Sequence, residues 1–242
     1  MVRQIAKSEA MQHAGKLYDF AFQSFKSNAF AFAIPQLQAT IEVGDPLYLA
    51  SALWLLALTY RRLKDRENER DVLSKILSLP PETRRFVGPE ELGIAHMRLG
   101  DANAAAVQYS LAIRFNGETP ARLANLAEAL LVKGDYGLCL TISDKLVSHP
   151  EPQLLIIGRI FKGAALWFTG QKKDALAEFQ FVGSYLVSVG GIPPNLTWDF
   201  GDSERVLNRV ESPVAESVLK VLRGKIDFAT FRQGWVGTAV AT

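Results

Sequence analysis

The side chains best suited to nucleophilic, acid–base or metal chemistry are few in this chain: three histidines, His13, His96 and His149, and one cysteine, Cys139. A catalytic histidine needs a nucleophile or a carboxylate beside it, and a metal site needs several ligands at short intervals. The histidines are far apart along the chain, and the cysteine stands alone, so no internal disulfide forms and no metal set is spelled out. His96 and Cys139 read as packing residues. Glu90, Glu91 and Glu128 read as a solvated or groove-edge surface. No phosphate loop, nucleotide-binding glycine fingerprint or metalloprotease helix occurs. The tight basic pairs, Arg61-Arg62 and Arg84-Arg85, sit on a chain of net charge +2 and fit solvated helix ends better than phosphate contacts. The expectation is a chain with no catalytic residues, no cofactor and no metal.

What must then be explained is 242 residues of which 48% are apolar and 21% charged, enough for a sizeable core and too apolar for disorder. With 27 basic and 25 acidic side chains there is no global attraction to nucleic acid or to an anionic membrane. The N-terminus lacks the apolar core of a secretory signal. The most apolar runs, Leu47 to Leu58 and Leu154 to Phe168, are too short to span a bilayer or are broken by Arg159 and Lys162. The expectation is a soluble, cytoplasmic protein without a membrane span. Asn195-Leu196-Thr197 matches a glycosylation triplet and is read as coincidence.

The chain repeats itself. Gly100-Asp101 recurs 34 residues later as Gly134-Asp135 and 36 further on as Gly170-Gln171; stepping back by 36 reaches Lys64-Asp65 and then Asn28. Five units follow, near 14–47, 50–83, 86–119, 120–153 and 156–189, so that residues 1–189 form a repeat array and 190–242 a C-terminal extension. Each unit has helical periodicity in two halves about a short turn. Ala105, Cys139 and Ala175 share one slot of the second helix, where only a small side chain lets two helices approach. Tyr109 and Phe179 fill the space one turn later. Proline after a capping residue marks helix starts at Asp45-Pro46, Thr119-Pro120 and Ser212-Pro213, and Pro89 follows Gly88. Pro35 falls inside a second helix, which it is expected to kink or delay.

Leu92, Gly93, Gly100, Ala105, Tyr109 and Ala112, with His96 in an aromatic slot, give the pattern that resembles the tetratricopeptide repeat (TPR) family. Tyr60 and Pro81 continue it in the second unit. Glu69 departs from it, standing where a small residue is usual, and so does Ser143, standing where an aromatic is usual. The resemblance implies an all-α fold: an α-solenoid of about five TPR hairpins wound into a right-handed superhelix, with C-terminal capping helices. First helices would line a concave groove.

In that family the second, fifth, ninth and twelfth positions of each repeat face the groove. The resemblance therefore assigns to it Gly15, Tyr18, Phe22 and Phe25; Ser51, Trp54, Leu58 and Arg61; Val87, Glu90, Ile94 and Met97; Ala121, Ala124, Glu128 and Leu131; and Ile157, Ile160, Ala164 and Trp167. Asn125, beside them, is a candidate to hydrogen-bond a peptide backbone. The Lys and Asn set with which some relatives grip a C-terminal carboxylate is missing. So apolar a groove marks an interaction site. Its occupant is either another protein's apolar peptide or amphipathic helix, or the chain's own C-terminus, which carries Trp198, Phe200, Ile226, Phe228, Phe231 and Trp235. Asp202 to Val210 and Pro213 to Arg223 are the helix candidates there, the latter as a cap, and Gly237 to Thr242 is expected to be disordered. The function expected is that of a non-enzymatic interaction scaffold, or an assembly or secretion chaperone. The alternative is a self-assembling homo-oligomer whose groove docks its own or a neighbouring subunit's C-terminal segment.

Overall fold

The computed structural model describes residues 2–198 and 200–239, and these contain helices and no strand. They divide into two compact units, one ending at Leu99 and one beginning at Gly100. The first holds α1 (Val2–Lys26), α2 (Phe30–Val43), α3 (Pro46–Arg62), α4 (Arg66–Ser78), α5 (Pro81–Arg84) and α6 (Pro89–Leu99). Long helices pack on their sequence neighbours, α1 on α2, α2 on α3 and α3 on α4, and α1 also meets α3. The second unit holds α7 (Ala102–Asn116), α8 (Pro120–Lys133), α9 (Tyr136–Val147), α10 (Pro152–Phe168), α11 (Lys172–Val189), α12 (Glu204–Leu207), α13 (Pro213–Leu222) and α14 (Phe228–Ala239). Its helices α7 to α11 pack in the same sequential way, and α8 also meets α10. Sequential packing of helix pairs is the arrangement of an α-solenoid.

The repeat is visible in the backbone. Asn28, Lys64, Gly100, Gly134 and Gly170, one per unit, all take left-handed φ values, 58°, 60°, 89°, 89° and 85°. That conformation ends the first helix of each hairpin and lets a following N–H return to it: Asp65 N–H donates to the Tyr60 carbonyl at 2.9 Å, Asp135 N–H to Leu130 at 2.9 Å and Gln171 N–H to Leu166 at 2.9 Å. Glycine adopts it without cost, whereas Lys64 bears a penalty of about 1–2 kcal/mol. The next residue caps the second helix: the carboxylates of Asp65, Asp101 and Asp135 accept from the N–H of Asn68, Ala104 and Leu138. Prolines open α3, α8 and α13 behind the side-chain caps Asp45, Thr119 and Ser212, and Pro89 opens α6.

Packing follows the same period. The close-contact slot, Ala33, Glu69, Ala105, Cys139 and Ala175, is buried in every unit, as is the slot one turn later, Leu37, Leu73, Tyr109, Ser143 and Phe179. On the facing helix Gly163 keeps the approach open, since a Cβ there would lie 2.9 Å from the Phe179 ring. Pro35 does not delay its helix. It lies inside α2, which starts at Phe30, so the missing N–H is absorbed within a continuous helix.

Beyond α11, Gly190 ends the helix at φ 78°. The candidate helix over 202–210 shrinks to Glu204–Leu207, while 213–222 forms as expected. α13 packs on α11, and α14 on both. Gly183 of α11 makes room for this, because a Cβ there would overlap the Trp235 ring. Residues 237–239, expected to be disordered, belong to α14; 240–242 lie outside the described residues. No helix among the described residues is long and apolar enough to cross a membrane.

Candidate interaction faces

In the first unit, the residues expected to line a groove are presented by three helices at the same spacing. Tyr18, Phe22 and Phe25 are on α1, Trp54, Leu58 and Arg61 on α3, and Glu90, Ile94 and Met97 on α6. Offsets of four and then three residues put each trio on one helix face. The faces of α1 and α3 are open: Phe22 is 40% exposed, and Tyr18, Phe25, Trp54, Leu58 and Arg61 are half-buried. On α6, Glu90 and Ile94 are half-buried and Met97 is buried. The rings touch one another. Tyr18 stacks on Phe22 at 6.4 Å between centroids and meets Tyr48 of α3 at 5.8 Å, while the Lys26 ammonium lies 5.6 Å from the Phe22 centroid. Burial of its ring, and secondarily the charge of Asp19, push the Tyr18 hydroxyl pKa upward.

Glu69, the departure in the small slot, has a local explanation. Its buried carboxylate accepts from Arg61 Nε at 2.7 Å and lies 3.9 Å from Arg98 Nε. The charge is paired rather than stranded, the condition under which a carboxylate is tolerated inside. Arg61 is thus drawn to the α4 side of α3, with its Nη2 buried and without a hydrogen-bond partner.

The second unit treats the same positions differently. Ala124, Glu128 and Leu131 of α8 and Ile157, Ile160 and Ala164 of α10 are all buried. Asn125 and Trp167 are half-buried, and the Lys172 ammonium sits 4.8 Å from the Trp167 centroid. What reaches this face is the chain itself. Ser203 Oγ donates to Glu128 Oε1 at 2.6 Å, both side chains being buried. Phe200, fully buried, meets Phe161 of α10 edge to face at 5.9 Å, and Trp198 meets the same ring at 6.2 Å. Farther along α10, the Arg209 guanidinium lies 5.1 Å from the Phe168 ring, which stacks on Tyr136 at 5.0 Å. Trp198 and Phe200 carried a signal in the sequence, as aromatics outside the repeat. Ser203 and Phe161 did not.

The reactive side chains offer little. Cys139 is enclosed, its Sγ donating to the Ala127 carbonyl at 3.4 Å. Burial pushes its pKa up to about 12, against a smaller lowering by the Ser143 hydroxyl, so the thiol is neutral and a poor nucleophile. His149 Nδ1 accepts from the Glu151 N–H at 3.3 Å, and His13 is exposed. Among the described residues no three His, Cys, Asp or Glu side chains gather as a metal site would require. No protein-family model matches the chain, and no curated protein matches it.

Proposed function

We propose that this chain is a protein-interaction module of the tetratricopeptide kind, about five hairpins in a right-handed superhelical stack, acting as a scaffold or chaperone rather than as an enzyme. The α1–α3 face of the first unit holds an apolar segment of another protein. The observation that carries this reading is the exposure of Phe22, with Tyr18, Trp54 and Leu58 only half-covered, at slots whose counterparts Glu128, Ala124, Ile160 and Ala164 are buried. Aromatic side chains kept partly in water on a rigid helix pair suit a site whose occupant comes from outside. An amphipathic helix with apolar residues at i, i+4 and i+7 is the complementary shape.

Selection from a displayed peptide library against the full chain tests this, followed by fluorescence polarisation with the enriched peptides. The expected peptides carry that apolar spacing. Phe22→Asp should weaken them at least about tenfold while leaving far-UV circular dichroism unchanged. Selections that enrich no pattern, or peptides indifferent to Phe22→Asp, would overturn the proposal. The second reading, self-assembly through a neighbour's C-terminal segment, is favoured by the contact of Ser203 with Glu128 inside one chain. It requires a concentration-dependent increase in mass by light scattering that Phe22→Asp abolishes.

A further inference from the structure

We propose that the α8–α10 face of the second unit is itself a peptide-docking surface, that Trp198, Phe200 and Ser203 occupy it as an internal ligand, and that its external ligand is a short segment of another protein carrying an aromatic side chain followed three residues later by a hydroxyl. Three observations converge on this.

First, the occupant is not part of the repeat. It lies beyond Gly190, which ends the last hairpin, and it is held by side chains: Phe200 and Trp198 on Phe161, Ser203 on Glu128. At its C-terminal end the Glu204 N–H reaches the Gly201 carbonyl at 3.4 Å, and the Ser203 carbonyl accepts from the N–H of Val206 and Leu207 at 3.0 and 2.9 Å. Second, its central anchor is strained. Phe200 takes φ 54°, a left-handed conformation rare for a bulky aromatic, and it does so fully buried. The bound shape is therefore imposed by the face rather than preferred by the segment, and a ligand able to take it more easily competes well. Third, the face is chemically specific. Glu128 places a buried carboxylate on the face of α8 that carries the buried Ala124 and Leu131, and a buried carboxylate demands a hydrogen-bond donor from whatever covers it. Ser203 supplies one at 2.6 Å. An aromatic pocket wall at Phe161 and an acceptor at Glu128 together define the aromatic and hydroxyl positions of the ligand.

The probe is a fluorescein-labelled synthetic peptide of residues 195–207 of this chain, titrated into the full protein. The face is open for only a fraction of the time in the unaltered chain, and apparent affinity scales with that fraction. Phe200→Ala in the protein should therefore tighten peptide binding at least about tenfold. Replacing the aromatic or the serine within the peptide should abolish that gain. Equal binding to both proteins, or gains that do not depend on those two peptide side chains, would overturn the proposal.

A second measurement decides the matter if Phe200→Ala does not fold. In the Ser203→Cys variant, the introduced thiol is compared with Cys139, which is also buried. Local release of the segment should let the introduced thiol react with a maleimide at least about a hundredfold faster than Cys139, which needs the hairpin itself to open. Added peptide should accelerate it further. Equal rates for the two thiols would sink the idea. This face belongs to the second unit, so the outcome is independent of docking on α1 and α3: Phe22→Asp leaves binding of the 195–207 peptide unchanged.

Discussion

The first and second units answer the same structural problem in opposite ways. Both build hairpins with a left-handed turn, a small or paired side chain at the close-contact slot and a buried one a turn later, large except at Ser143. On the face carried by first helices they diverge. Tyr18, Phe22, Trp54 and Leu58 keep part of their surface in water, whereas Ala124, Glu128, Leu131, Ile160 and Ala164 are sealed in a unit whose own Ser203 and Phe200 contact α8 and α10. The difference shows that repeat register alone does not say whether a residue belongs to a binding surface or to a core. What lies on the face decides, and in the second unit that is supplied from 75 residues away in the sequence.

The largest expected contrast lies between two phenylalanines. Phe161→Ala removes a fully buried ring at the meeting point of α10, Trp198 and Phe200, and should cost about 3–5 kcal/mol in denaturant unfolding. Phe22→Ala removes an exposed ring and should stay within about 0.5 kcal/mol. Similar losses at both positions would break the distinction between an open and a sealed face.

A pair of substitutions of middling effect sharpens it. Glu69→Ala in the first unit takes from Arg61 the carboxylate it holds at 2.7 Å; Glu178→Ala in the second takes from Arg159 the one it holds at 2.6 Å, while Lys162 keeps Asp144 at 2.8 Å. Each should cost about 1–3 kcal/mol. Matching values would confine the divergence between units to the face itself, whereas a much larger loss at Glu178 would spread it into the polar stitching.

The smallest effect concerns the close-contact slot that both units share. Cys139→Ala puts there the residue found at Ala33, Ala105 and Ala175, at a cost of about 1 kcal/mol near neutrality. Its signature is alkaline. Between pH 9.0, the thiol's ordinary pKa, and about 12, the folded chain keeps a proton that the unfolded chain releases. Stability is therefore full below that window and falls as pH rises through it. Melting profiles of the parent and Cys139→Ala should run parallel below pH 9 and diverge above it, the parent losing more; profiles parallel throughout would mean that the thiol is not enclosed.

Much of the fold was legible because repeats impose local constraints that restrict residue type. The turn column announced itself through Gly100, Gly134 and Gly170, and its register carried the argument to Lys64 and Asn28, where no glycine stands but the same backbone occurs. Pro46, Pro120 and Pro213 marked helix starts because a missing N–H is harmless there. Pro35 lies inside the second helix as read, but it does not delay the start of α2, although a proline in a helix interior is penalised by propensity. The candidate faces were legible only as positions. Phe22 and Leu131 look equally suited to a groove, and no local pattern separates the exposed one from the fully buried one.

The sequence by itself determined the helical hairpins, their period and the slots through which they pack, because those depend on neighbours three to four residues away or on a pattern that occurs five times. The tertiary structure alone decided what covers the α8–α10 face. The contacts of Ser203 with Glu128 and of Phe200 with Phe161 are single, non-repeating and distant, and their energy comes from burying a ring and satisfying one carboxylate rather than from any propensity a short stretch of chain displays.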